Sequence, residues 1–206
     1  MNLLFFCPGF IHDGKDVRLI GEILAEVAPK FEKAGWKIHL PSFCNLPSYW
    51  PIESYAEILA DEIVDLSPDA VAGLSMGVLT LRKSCEILKD DFPDVPVVLM
   101  EGPNWGVSWW QLLIISTKYS PMRPCIRDLW RRSAFLKDLN DNCFNGNPVL
   151  EVHGKFSEMR LAKDVFAKLP YTHLEEFPDV GHRELVTEER VVRTVIDFLN
   201  FNAGRR

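Results

Sequence analysis

The stretch Ala70-Val71-Ala72-Gly73-Leu74-Ser75-Met76-Gly77-Val78-Leu79 decides how the rest of the chain is read. A short apolar run passes through a turn of small residues into Val78, Leu79, Leu81, Cys85 and Leu88, which recur at the spacing of one helix face. Gly73-Leu74-Ser75-Met76-Gly77 therefore places the GxSxG pattern between a strand and a helix, the context that a nucleophile elbow requires. Sterics account for the glycines. A serine on so sharp a turn takes a strained backbone, and side chains two positions before and after it would collide with the turn. The helix behind Ser75 points free amides and the positive end of its dipole at any oxyanion formed there. The plain alternative is a tight turn carrying an idle serine.

Outward from this segment, short apolar runs alternate with longer segments of helical period. Strands are expected at Leu3 to Cys7, Trp36 to Leu40, Ala70 to Leu74, Pro96 to Met100, Pro148 to Val152 and Tyr171 to Phe177. Helices are expected at Asp16 to Lys33, with Asp16 as N-cap, at Ile52 to Leu66, from Val78 to Leu88, at Met159 to Leu169 and at Glu188 to Asn200. This order predicts an α/β fold: a mostly parallel central sheet of about six strands with helices on both faces. The alternation breaks between Gly102 and Asn147, so one domain is expected over residues 1–206, with a small helical cap inserted at about 103–146.

Composition narrows the function. The chain has 206 residues, 47% of them hydrophobic, and a net charge of −6, so its overall field repels nucleic acid and anionic membranes. Cys7, Cys44, Cys85, Cys125 and Cys143 are scattered with no CxxC pair, which suggests buried reduced thiols rather than a zinc site or a disulfide framework. No run approaches the roughly 18 apolar residues of a membrane span. The apolar start runs straight into Pro8-Gly9 without a cationic lead or a cleavage site, so a cytoplasmic location is expected, with no metal and no cofactor.

Ser75 needs a base. Of His12, His39, His153, His173 and His182, only His182 falls on a loop between the last expected strand and the last helix, in Phe177-Pro178-Asp179-Val180-Gly181-His182. That loop and Ser75 share the carboxyl edge of the sheet, where a neutral imidazole can accept a hydroxyl proton. His39, His153 and His173 fall within strands and read as structural, and Asp179 reads as a turn residue.

With these pieces in order, nearly the whole chain resembles the α/β-hydrolase family, in particular its small lipase-like esterases. Pro8-Gly9-Phe10 resembles the family's oxyanion loop, Gly73 to Gly77 its nucleophile elbow, His153-Gly154 the strand before its acid, and Pro178 to His182 its histidine loop. The resemblance implies Ser75 as nucleophile, His182 as general base, and the backbone amides of Phe10 and Met76 as the oxyanion hole. It further implies a small-molecule ester or thioester substrate cleaved through an acyl-enzyme. The family places an Asp shortly after the His153-Gly154 strand, where this chain has Ser157-Glu158. Glu158 is the first candidate for the third member and Glu101, at the end of the Pro96 to Met100 strand, is the second. Trp105, Trp109 and Trp110 in the insertion are candidates for lining an acyl pocket, or simply pack it on the sheet. Between Lys118 and Lys137 six cations face the single acid Asp128, read as a solvated face or a rim that attracts an anionic substrate.

Two other readings stay open. Gly9-Phe10-Ile11-His12-Asp13-Gly14-Lys15-Asp16 has P-loop spacing, but ends in Asp where a hydroxyl should meet magnesium. A hydrolase scaffold that only binds a partner is the other, favoured by the missing Asp.

Overall fold

The structure is a computed structural model that describes residues 1–9, 14–45, 48–108, 112, 123–144, 146–154, 169–170 and 172–203. Its centre is a sheet of β1 (Asn2–Cys7), β2 (Trp36–His39), β3 (Ala70–Leu74), β4 (Val97–Met100), β5 (Val149–His153) and β6 (His173–Glu176). The strands are all parallel and lie in the order β2-β1-β3-β4-β5-β6. Helices α1 (Gly14–Lys33), α2 (Ile52–Leu66), α3 (Met76–Leu88) and α6 (Glu189–Ala203) cover it, while α4 (Pro124–Asp128) and α5 (Ala134–Asp138) belong to the insertion.

Alternation along the strands explains why both faces are covered. Leu4, Ala70, Ala72, Val98, Met100, Leu150 and Val152 point to one side and pack with Val27 and Phe31 of α1 and with Val191, Val192, Val195 and Leu199 of α6. Phe5, Val71, Val97, Leu99 and Val149 point to the other and pack with Leu59 and Ile63 of α2 and Val78, Leu81 and Cys85 of α3. A strand apolar on both faces must be sandwiched, which is what the sequence pattern anticipated. The edge strand β2 is tied down by Trp36, fully buried, whose indole N–H donates to Asn200 Oδ1 of α6 at 2.8 Å.

The chain leaves β1 toward β2 on one side and returns as β3 on the other, so the carboxyl ends of β1 and β3 flank a topological switch point. Most expected element boundaries fall within a residue or two of the observed ones. Asp16 differs: α1 starts at Gly14, so Asp16 sits inside the first turn, where its charge still meets the positive end of the helix dipole, rather than capping the helix. The expected strand from Tyr171 to Phe177 shortens to His173–Glu176, and the expected helix at 159–169 lies almost wholly outside the described residues. All five cysteines are free thiols. Burial pushes Cys44 and Cys125 up to about 12 and raises Cys7, whereas Cys143 is lowered by a hydrogen bond with Cys85 and by the Arg82 charge. No described helix is long and apolar enough to cross a membrane.

The described part of the insertion packs down onto the sheet's helices. Val107, Leu112, Cys125, Ile126, Leu129 and Leu139 form an apolar cluster with Ile52 of α2 and with Met76 and Leu79 of α3. The same segment caps a helix. Pro51, at the start of α2, offers no side-chain hydrogen bond, and the Ile52 amide is instead taken by Asp128 Oδ2 of α4 at 2.8 Å. Burial raises the Asp128 carboxyl above the usual range, with the Ile52 N–H acting in the opposite direction. Replacing Asp128 by Ala should therefore lower the stability to urea by about 1 kcal/mol, as removing an N-cap does. Asp128→Asn should keep most of it, and a loss of only a tenth or two in the Ala variant would show that α2 does not depend on this contact.

Candidate active site

Ser75 stands at the end of β3 and opens α3 with φ 54° and ψ −123°, a conformation that residues other than glycine rarely adopt. Its hydroxyl makes no capping hydrogen bond to the helix that follows, unlike Ser133, which accepts from the Leu136 amide at α5. The turn is held from the backbone instead: the Ser75 amide donates to Met100 O at 2.8 Å and the Val78 amide donates to Ser75 O at 3.0 Å.

The flanking glycines are required by space. A Cβ on Gly77 would lie 2.2 Å from Cys7 O, and one on Gly73 would lie 2.9 Å from the Gly77 carbonyl. Gly9, in the loop after β1, is packed against the serine itself, since a Cβ there would be 3.0 Å from Ser75 Cβ and 3.6 Å from Ser75 Oγ. The segment expected to supply an oxyanion amide thus reaches the serine at Gly9; Phe10 lies outside the described residues.

Glu101 follows β4 and is completely buried. Like Ser75, it has a positive φ, 43°, and its amide donates to Val152 O of β5 at 2.9 Å. Its carboxylate is shared between two partners: Oε1 accepts the Gly154 amide at 2.7 Å, and Oε2 is hydrogen-bonded to Nδ1 of His182. The imidazole is itself almost wholly buried and is delivered by a loop with two anchors. Val180 sinks into the core beneath the sheet, and the turn Glu184–Val186 begins with the Glu184 and Leu185 amides donating to Gly181 O. With Nδ1 engaged by Glu101, the second ring nitrogen, Nε2, is on the opposite side of the ring. Ser75 and Glu101 are neighbours through the backbone, because the serine amide bonds the carbonyl of Met100, the residue before Glu101.

Three of the remaining histidines are accounted for differently, and His12 lies outside the described residues. His153 is buried in β5, with Nε2 3.3 Å from Glu151 Oε2; His39 stacks on Phe5 with ring centroids 5.2 Å apart; and His173 is an exposed partner of Glu175. Asp179 is exposed and pairs with Arg190 at 2.6 Å, consistent with its reading as a turn residue. Glu158, the first candidate for the acid, lies outside the described residues, as do Trp109 and Trp110. The acid found on the His182 ring is Glu101, the second candidate. Trp105 is 43% exposed beside the start of the insertion. Among the described residues no group of three His, Cys, Asp or Glu side chains is placed to hold a metal ion.

No protein-family model matches the chain and no curated protein matches it in sequence. Solved structures do resemble it. A lipase of Bacillus licheniformis, BlEst2 in its mature form, superposes with a TM-score of 0.72 at 12% identity, covering 96% of this chain and 91% of that one. A lipase-esterase related protein of Clostridium acetobutylicum gives 0.60 at 16% identity, over 96% and 94% of the two chains. A thermophilic esterase of Thermogutta terrifontis gives 0.57 at 14% identity, over 98% and 90%.

Close packing at the site gives a direct test. A Cβ on Gly154 would fall 2.6 Å from Val180 O and 3.1 Å from Glu101 Oε1, wedging the histidine loop away from the carboxylate, whereas one on Gly21 in α1 would meet nothing within 4 Å. Gly154→Ala should destabilise by about 2 kcal/mol through overpacking, while Gly21→Ala should stabilise by about 0.5–1 kcal/mol. Similar melting behaviour for the two variants would contradict this packing. The six-stranded parallel sheet, its helices and the likeness to these structures together identify the α/β-hydrolase fold.

Proposed function

We propose that the chain is a serine hydrolase that cleaves carboxylic esters or thioesters of small molecules through an acyl-enzyme, with Ser75 as nucleophile, His182 as general base and Glu101 as the acid that orients it. The observation that carries this reading is the buried carboxylate of Glu101 on His182 Nδ1, one strand away from a serine held in a strained elbow. A carboxylate on Nδ1 fixes the tautomer that leaves Nε2 able to accept a proton, and it stabilises the imidazolium that results. The lipase and esterases among the structural neighbours support an ester as the substrate class.

In this mechanism Ser75 Oγ attacks the acyl carbon as its proton passes to His182 Nε2. The carbonyl oxygen becomes an oxyanion, which the Met76 amide at the positive end of α3 and an amide of the loop after Gly9, Phe10 in the expected assignment, stabilise. Collapse of the tetrahedral intermediate breaks the bond to the alcohol or thiol, which leaves with the proton from His182. Water then repeats the sequence on the acyl-enzyme, its proton going to His182 and its oxygen to the released acid.

The partner-binding reading loses the feature that motivated it, and the P-loop reading loses the acidic strand end that it would use. The scaffold that only binds a partner was favoured by the absence of an Asp after His153-Gly154, and Glu101 supplies a carboxylate from another strand. The P-loop reading needs an acidic strand end for a metal, and Glu101 is committed to Gly154 and His182. In p-nitrophenyl ester hydrolysis, Ser75→Ala and His182→Ala should lower kcat by at least about 10³-fold with the fold intact. Glu101→Gln should lower it by about 10²-fold or more, and Glu158→Gln by less than about threefold. A reversal of the last two would move the acid to Glu158; no loss in Ser75→Ala would end the proposal.

A further inference from the structure

Arg82 lies midway along α3, on the helix that Ser75 opens, and its side chain is completely buried. Nη1 donates to Asn104 O at 3.3 Å and to Asn104 Oδ1 at 3.4 Å. Nη2 donates to Asn140 O at 3.3 Å and forms an ion pair with Asp141 Oδ1 at 2.7 Å. Asn104 is where the chain enters the insertion, and Asn140 and Asp141 are where it leaves. One guanidinium therefore grips both feet of the insertion.

The insertion is cross-braced between those feet. The Val107 amide donates to Leu129 O at 2.7 Å and the Arg131 amide to Val107 O at 3.0 Å, so the entering and leaving halves are joined by a β-bridge. Gly106, with φ 70°, lets the entering segment close on Arg131 and Leu136, since a Cβ there would lie 2.3 Å from Leu136 Cδ1. This braced unit rests on Met76, the residue after the serine. A planar guanidinium can reach two separate chain segments at once, which a single ammonium cannot do in the same geometry.

Resting on the acyl-transfer reading, we propose that Arg82 is a positioning residue that fixes the insertion against Met76, the residue after Ser75, and that it thereby sets which acyl chains the site accepts. The charge is not needed for the elbow turn itself, whose hydrogen bonds run to Met100 and Val78. Loss of the grip should therefore alter how the acyl group is seated and leave the serine reactive.

The test compares Arg82→Lys, Arg82→Met and Asp141→Asn with the wild type by three measurements: the labelling rate of Ser75 with a small fluorophosphonate, kcat and KM for p-nitrophenyl acetate through octanoate, and amide exchange over residues 104–108 and 123–141. Labelling should stay within about threefold of wild type, while the octanoate-to-acetate ratio of kcat/KM shifts by about tenfold or more, carried by KM. Exchange in the insertion should rise by about tenfold, and Lys should not restore either property. Unchanged ester ratios and exchange in both Arg82 variants overturn the proposal, and so does an equal fall of labelling and of every ester, which would make Arg82 a support of the elbow only. Should neither Arg82 variant fold, Asp141→Asn decides, because that side chain is 40% exposed and the asparagine oxygen still accepts a hydrogen bond from the guanidinium, which loses only its counter-charge; it should shift both readouts in the same direction, and wild-type values in both overturn the clamp. A wild type without ester cleavage or labelling ends the acyl-transfer reading, and the exchange measurement then decides the clamp by itself.

Discussion

The carboxylate of Glu101 is the contact on which the rest of the site depends. A buried carboxylate is costly unless its oxygens are satisfied, and here one takes the Gly154 amide and the other the His182 ring. Those two partners come from the end of β5 and from the loop beyond β6, so a single side chain from the end of β4 draws three separate chain segments to one edge. Remove it, and His182 Nδ1 and the Gly154 amide both lose this acceptor.

Backbone strain follows the same geography. Among the described residues, four other than glycine have positive φ: Ser67, Ser75, Lys89 and Glu101. Ser67 closes α2 in the left-handed conformation common at helix ends, and Lys89, with φ 51° and ψ −116°, closes α3. Ser75 and Glu101 instead end adjacent parallel strands in the middle of the sheet, where nothing in helix termination asks for such a conformation. Strain of this kind persists only where the surroundings over-determine it, and here Gly73, Gly77, Gly102 and Gly154 remove the side chains that would stand in its way. The switch point between β1 and β3 opens at this same edge, with Gly9 on one side and the start of α3 on the other.

What the sequence disclosed depended on how local the signal was. The β3 to α3 turn is written in five consecutive residues, and two-faced apolar strands such as Val97–Met100 require only their own residues to be recognised as buried. His182 was legible because its loop sits in order between a strand and the closing helix. Its partner was legible only as the second of two candidates, behind Glu158, because Glu101 and His182 are 81 residues apart and a glutamate at a strand end is a weak signal. The same holds for Arg82, which reads as one cation on an amphipathic helix until the fold brings Asn104 and Asp141 to it. Asp16 shows the opposite error: a good capping residue is visible, but helix α1 began two residues earlier and absorbed it.

The most direct measurement is the proton NMR spectrum of the His182 ring, observed through the Nδ1 proton. A hydrogen bond to a buried carboxylate should move that proton far downfield of the amide and indole signals. The signal should be present in the wild type and in Glu158→Gln, and missing from Glu101→Gln and His182→Ala. Its survival in Glu101→Gln together with its loss in Glu158→Gln would contradict the account.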